Sequence, residues 1–376
     1  MWSKLVEFVR ARKALSIAIA VVVLVIAGGA IFMAVRADPV VPTTTTSPPP
    51  TSTTMAETTT SGATSTTIGG ATSQINGLPV ADPELLDRRL LAVKIDNHPD
   101  ARPHSGIEDA DAVIELMVEG VTRFISMWQQ SDSEFLGPMR SGRPTDQTLL
   151  AFFNEPSFAI SGAQSWVQNM IRSVGIHLVG EVEPGTFRVS GRRAPHNLFT
   201  NTILLREYAD AQDHPDEPID GPMWAFGPMR QDAEEASKVS FDFLGNPVEC
   251  TWDETTGMWL RTIGGEESIT VTEDGAADAE EGENEEEDGS QIAFPVLVAL
   301  YVEQYTVGDL PASRTAGQGL AYVFAEGKVV QGTWQRDDID EWFTLEDNDG
   351  APIEVPPGQV WISLIPNTTG IVIEPS

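Results

Sequence analysis

In the segment LAVKIDNHPDARPHSG (91–106) an apolar run ends in Asp96, Asn97 and His98, and Arg102 and His104 follow within a few residues. Strand ends that exchange apolar residues for carboxylate, amide, imidazole and guanidinium groups are where folds tend to place binding and catalytic side chains. His98 and, further along, His196 are the side chains suited to moving protons, because a free imidazole titrates near about pH 6.5. Two carboxylates follow in AVIELMVE: Glu115 and Glu119 fall on one face of an extended strand, about 13 Å apart at about 3.3 Å per residue. Glycosidase carboxyl pairs stand about 5–9.5 Å apart, so these two alone do not make such a pair; either would need Asp96 from a neighbouring strand.

Arginines gather around the same region. Arg123 lies in TRFISMW, Arg140 and Arg143 in GPMRSGRPTD, and Arg192, His196 and Asn197 in FRVSGRRAPHNLF. Guanidinium groups in a loop feeding a helix at Pro144 make a reasonable cradle for phosphate or carboxylate. The structural alternative is that these arginines pair with Asp96, Glu115, Glu119 and Asp146. The candidate ligand-binding set is therefore Asp96, Asn97, His98, Arg102, Glu115, Glu119, Arg123, Arg140, Arg143, Arg192, His196 and Asn197, expected to line one pocket. No residue is assigned a catalytic role. Neither HExxH nor any other recognisable metal spacing occurs, so no metal is expected. GxSxG, SxxK and a P-loop are missing, and Gly317–Gly319 precedes a strand rather than a helix, so no cofactor is implied.

The elements that must hold these groups alternate in type. RLLAVKID, DAVIELMVE and TRFISMWQQ read as strands, RPTDQTLLAFFNE as a helix, SFAISGA as a buried strand, and QSWVQNMIRSV and TNTILLREYADA as helices. This predicts an N-terminal α/β-layered domain over 78–215. Short β-type runs separated by Gly, Pro, Asp and Asn then predict a β-rich C-terminal domain over 222–376, an α+β protein in all. Within it, the acidic run 273–290 is expected to be a disordered loop; it lacks EF-hand ligand spacing. Trp334, Trp342 and Trp361 are read as packing residues, and the single cysteine, Cys250, as a buried inert thiol.

Ahead of the folded part, residues 14–35 form an uncharged apolar stretch long enough to cross a bilayer as a helix. Lys4, Arg10, Arg12 and Lys13 precede it, which predicts a cytoplasmic tail at 1–13 and a retained signal anchor that makes the cell membrane a partner. Residues 36–77, rich in Thr, Ser and Pro, are expected to be a disordered stalk, with the folded domains extracytoplasmic. The net charge of −33 excludes nucleic acid as a partner. That charge is uneven: residues 88–206 hold 12 Lys and Arg against 13 Asp and Glu, and residues 207–376 hold 6 against 37. Cationic groups are thus concentrated in the first folded part.

LAVKIDNHPDARPHSGIEDADAVIELMVEGVTRFISMW, GPMRSGR and RAPHNLF resemble the first domain of the YerB-like family of bacterial envelope proteins. GQGLAYVFAEGKVVQGTWQRDD and DGAPIEVPPGQVWISLIP are similar to the domain that follows it. The resemblance covers about 78–376 and implies two domains outside the cytoplasm, often on a lipoprotein; it supplies no catalytic residue. This chain departs from the pattern by a signal anchor in place of a lipoprotein cysteine, by its long stalk and by the acidic run. Three functions stay open: binding of an anionic cell-wall or envelope ligand; a wall or glycan hydrolase or transferase using Asp96, Glu115, His98 or His196; and an envelope scaffold. Oligomeric state is not legible.

Overall fold

The computed structural model describes residues 70–278 and 289–375. The expected membrane span at 14–35, the stalk up to residue 69 and the middle of the acidic run lie outside the described residues. Among the described residues no helix is long and apolar enough to cross a membrane.

Strands β1 (Leu91–Asp96), β2 (Ala112–Met117) and β3 (Thr122–Trp128) come first, then β4 (Ser157–Ala159) and β5 (His177–Val179). Helices α1 (Pro144–Leu150) and α2 (Ser165–Arg172) are interleaved with them, and α3 (Thr202–Ala211) follows the hairpin β6 (Thr186–Arg188) and β7 (Leu198–Thr200). From residue 234 onward the described elements are strands apart from the short helix Glu273–Asp278.

Strands from both halves share one sheet. Its order runs Thr344–Asp347, Lys328–Arg336, Gly317–Ala325, Val296–Val302, Val360–Pro366, β2, β3, β1, β4, β5. The junction is parallel pairing of β2 with Val360–Pro366, from Ala112 opposite Val360 to Leu116 opposite Leu364. Val296–Val302 (VLVALYV) and Val360–Pro366 (VWISLIP) are buried at every position. Near-continuous apolar runs of this kind belong to central strands covered on both faces.

Alternation along the strands divides the core in two. Ala92, Ile114 and Leu116 point to one face, where Leu149 and Leu150 of α1 and Val167 and Ile171 of α2 cover them. Leu91, Val93, Ile95, Val113 and Met117 point to the other, against Val239, Phe241, Val248, Cys250 and Trp259 of a second, six-stranded sheet. Burying each such large side chain is worth about 1.5–3 kcal/mol, so a helix layer, the shared sheet and the second sheet are held together mainly by these two interfaces.

Three expectations are corrected. The ordered chain starts before residue 78: Thr72 bridges Pro79, and Ile75 is fully buried. The acidic run is not loop throughout, since Glu273–Asp278 is helical and Gly289–Gln291 pairs with Ile269–Val271. Buried Ala276, packed with Val189, Phe199 and Val271, anchors that helix. Finally, Glu115 and Glu119 do not share a strand face: β2 ends at Met117, and the chain turns at Gly120, which has φ 75°.

Candidate functional site

Backbone pairing fixes the C-terminal end of β1. Asp96 N–H donates to the Pro138 carbonyl at 2.9 Å, and Arg140 N–H donates to the Lys94 carbonyl at 2.8 Å, so segment 138–140 lies along the strand end. Met139 N–H donates to Leu198 O of β7, and the loop between β6 and β7 carries His196 to the same place. The end of β1, segment 138–140 and the loop after β6 therefore converge.

The buried Asp96 carboxylate is the hub. Its Oδ2 lies 2.7 Å from His196 Nδ1, and its Oδ1 accepts the His98 backbone N–H at 3.2 Å. A carboxylate can only accept, so His196 donates from Nδ1, leaving Nε2 as its other ring nitrogen. The His196 ring stacks on His98, with centroids 4.7 Å apart and 20° between planes. Arg140 Nε sits 3.2 Å from the same Asp96 Oδ2, an ion pair that is not aligned as a hydrogen bond. His104 donates from Nε2 to the Asp96 carbonyl at 2.8 Å, while its buried Nδ1 has no hydrogen-bond partner among the described residues. Burial holds the His104 pKa down at about 3, keeping that ring neutral.

A second group lies beside it. Arg143 Nε donates to Glu119 Oε1 at 2.7 Å, and Arg123 Nη2 approaches Glu119 Oε2 at 3.8 Å. Arg123 Nη1 donates to the Ser141 carbonyl, and its buried Nε has no hydrogen-bond partner among the described residues. Burial first, then the neighbouring Arg143 charge, pull the Arg123 pKa down to about 10. Burial, the largest single effect, raises Glu119, but the Arg143 hydrogen bond, a backbone hydrogen bond and the Arg143 and Arg123 charges together outweigh it and leave this carboxyl below its ordinary range. Both Asp96 and Arg140 act on Arg123 electrostatically, which links this group to the first.

The remaining candidates are engaged elsewhere. Asn97 donates to Thr122 Oγ1 at 2.6 Å, Thr122 donates to Glu115 Oε1 at 2.8 Å, and Arg102 Nε donates to Asn97 Oδ1 at 3.1 Å. Glu115 is fully buried, with Arg261 Nη2 at 2.6 Å and Trp361 Nε1 at 3.3 Å, so it faces the second half of the chain rather than Asp96. Asn197 accepts from Arg188 at 2.9 Å and donates to the Arg192 carbonyl at 3.1 Å; Arg192 donates to the Pro103 carbonyl at 2.9 Å.

Three participants, Lys94, Arg261 and Asp100, escaped sequence reasoning, and Asp146, expected to pair with arginine, pairs with Lys94 instead. Lys94 and Asp146, both fully buried, pair at 2.6 Å, and burial lowers the Lys94 pKa to about 8. The sole sequence signal was a lysine inside the apolar run LAVKID. Arg261 stands 146 positions from Glu115, a separation that local periodicity does not encode. Asp100, two residues after His98, has its carboxylate Oδ2 3.6 Å from His98 Nδ1. His98, Asp100 and His196 bring possible metal-ligand atoms within 4.8 Å of one another, a grouping that linear spacing across 98 and 196 hides.

Comparison with known proteins now places the chain. Residues 75–215 match the N-terminal domain, and residues 239–362 the C-terminal domain, of the family described as protein of unknown function (DUF3048). The chain belongs to this family, the YerB-like proteins, and has its two-domain architecture, built mostly of sheet with few helices. It is 25% identical over 297 residues to YerB of Bacillus subtilis (strain 168), a protein named as a lipoprotein, covering 76% of this chain and 83% of that one. The fold is similar to the crystal structure of the Bacillus subtilis YerB protein, with a TM-score of 0.67 at 22% identity, over 80% of this chain and 99% of that chain.

Proposed function

We propose that the chain is a membrane-tethered envelope protein whose first family domain binds an anionic group at Asp96, His98, Arg140 and His196, with Arg123 and Arg143 behind them. The observation that carries this reading is Arg140. Its side chain is 23% exposed, it touches Asp96 without a hydrogen bond, and among the described residues no other group takes up its guanidinium donors. Asp96 is already shared with His196, and Glu119 between Arg143 and Arg123, so these two carboxylates face three guanidinium groups. Donors left open in a cationic cluster suit a phosphate or carboxylate, the groups a wall-derived polymer offers. Residues 1–13 are then cytoplasmic, 14–35 cross the membrane as a retained anchor, and the chain up to about residue 70 spaces an α/β domain (to 215) and a β-rich domain (222–376) outward. The uncharged apolar span and its basic flank support this layout, and the lipoprotein name of the Bacillus relative fits an anchored role.

Calorimetric titration with a phosphodiester polymer and with a uronic-acid polymer tests the reading. Arg140→Met should weaken binding about tenfold or more, the worth of a hydrogen bond to a charged group, without altering the fold. Equal binding by wild type and variant, or no binding of either polymer, overturns it. The 2.7 Å Asp96–His196 contact favours a second reading, an envelope hydrolase or transferase with His196 as the proton-transfer group. Turnover of wall glycan by the wild type that is lost in His196→Gln would select it.

A further inference from the structure

His98, Asp100 and His196 are not fully accounted for by the anion reading. His196 is held as metal-binding histidines commonly are: a buried carboxylate accepts the hydrogen bond from Nδ1–H, which orients the ring and leaves Nε2 as the ligating nitrogen. The same carboxylate also anchors His98, through its backbone N–H, so one buried group organises two imidazoles. The third group, Asp100, lies in the short turn Pro99–Ala101 directly after His98. We propose that these three side chains form a binding site for a zinc-type divalent cation, with Asp96 as the positioning residue and one coordination position left open. The proposal does not depend on anion binding at Arg140.

The donor set and spacing support it. Two imidazoles and a carboxylate are ligands that zinc takes readily, and three protein ligands with an open fourth position is the arrangement of catalytic rather than structural sites. Ligands of a tetrahedral ion at about 2.0–2.1 Å stand about 3.3 Å from one another. His98 Nδ1 and Asp100 Oδ2 are already 3.6 Å apart, and the donor atoms of all three residues lie within 4.8 Å. The rearrangement still required falls on the mobile partner. Near-parallel rings direct their lone pairs side by side, so one ring must turn to aim at a common point. His98, with a side chain 42% exposed, can turn by giving up the weak 3.2 Å contact from the Asp100 N–H; His196 is held by Asp96. Asp100, 72% exposed, has a free path to follow.

The test uses the full chain, stripped of metal by chelation, titrated with Zn²⁺ by calorimetry and with Co²⁺ by visible absorption as a reporter of coordination geometry. The expected result is one ion per chain and a low-coordination cobalt spectrum. Asp96→Asn should weaken binding by about 10–100-fold, as loss of such a supporting carboxylate does, and His98→Ala or His196→Ala by more. His177→Ala, in the separate His177–His214 pair, should change nothing. Circular dichroism reports folding; if His196→Ala does not fold, the exposed positions His98→Ala and Asp100→Asn carry the test. The proposal is overturned by no saturable binding to the wild type, by binding that survives both His98→Ala and Asp100→Asn, or by binding lost in His177→Ala.

Discussion

Replacing Arg261 with Met isolates one buried ion pair between the two family domains. Arg261 and Glu115 are both fully buried, their charged atoms 2.6 Å apart, and the guanidinium carbon lies 5.5 Å from the ring centroids of Phe124 and of Trp361. Removing the guanidinium leaves the Glu115 carboxylate in the core with only Thr122 and Trp361 as donors. Breaking a buried pair by removing one partner costs about 3–5 kcal/mol, and the lost cation–π contacts act in the same direction by about 1 kcal/mol each. Glu115→Leu should be similarly damaging, since it strands a buried guanidinium. Made together, Arg261→Met and Glu115→Leu remove both charges and restore an apolar contact, so the double variant should lie within about 1–2 kcal/mol of wild type. Urea unfolding followed by tryptophan fluorescence gives the four stabilities of the cycle. Single variants costing less than about 1 kcal/mol, or a double variant whose cost is the sum of the singles, would refute the reasoning.

Other expectations follow from single residues. His104 is neutral in the fold with its pKa at about 3, against an ordinary value of 6.5, so the unfolded chain binds the extra proton. Stability should therefore fall as pH drops from about 6.5 to about 3, by up to about 5 kcal/mol at about 1.36 kcal/mol per factor of ten, and His104→Asn should flatten that slope. Identical pH profiles for the two proteins would contradict this. Burial pushes the Cys250 thiol up to about 12, so alkylation at neutral pH should track global unfolding; prompt labelling of the folded protein would count against it. Deleting 279–288 should leave the melting temperature unchanged, because that stretch holds no apolar side chain larger than alanine. Deleting 273–289 should lower it, because buried Ala276 is lost.

The strands and helices around the site were legible where a short segment carries its own period. LAVKID, TRFISMW and the helix opening at Pro144 occupy the positions that alternation and N-terminal proline predict. The end of β1 at Asp96 and the loops bearing Arg140 and His196 were legible as polar breaks after apolar runs. What local pattern does not encode is partnership. Glu115 reads as sharing a strand face with Glu119 and pairing with a nearby arginine, yet both faces of β2 are covered, and its partner arrives from 146 residues away. The insertion of Val360–Pro366 beside β2 is equally invisible, because parallel pairing between distant segments leaves only the mark of a continuous apolar run. The unspent donors of Arg140 emerge only once Asp96, His196 and Glu119 are known to be engaged.

The central claim, an anionic ligand held at Arg140 beside the Asp96–His196 pair, is tested most directly by crystals grown with and without a short phosphodiester oligomer. The account predicts difference density within hydrogen-bond reach of the Arg140 guanidinium, absent from crystals of Arg140→Met. Ordered ligand elsewhere on the protein with the Arg140 group untouched, or density that persists in Arg140→Met, would contradict it.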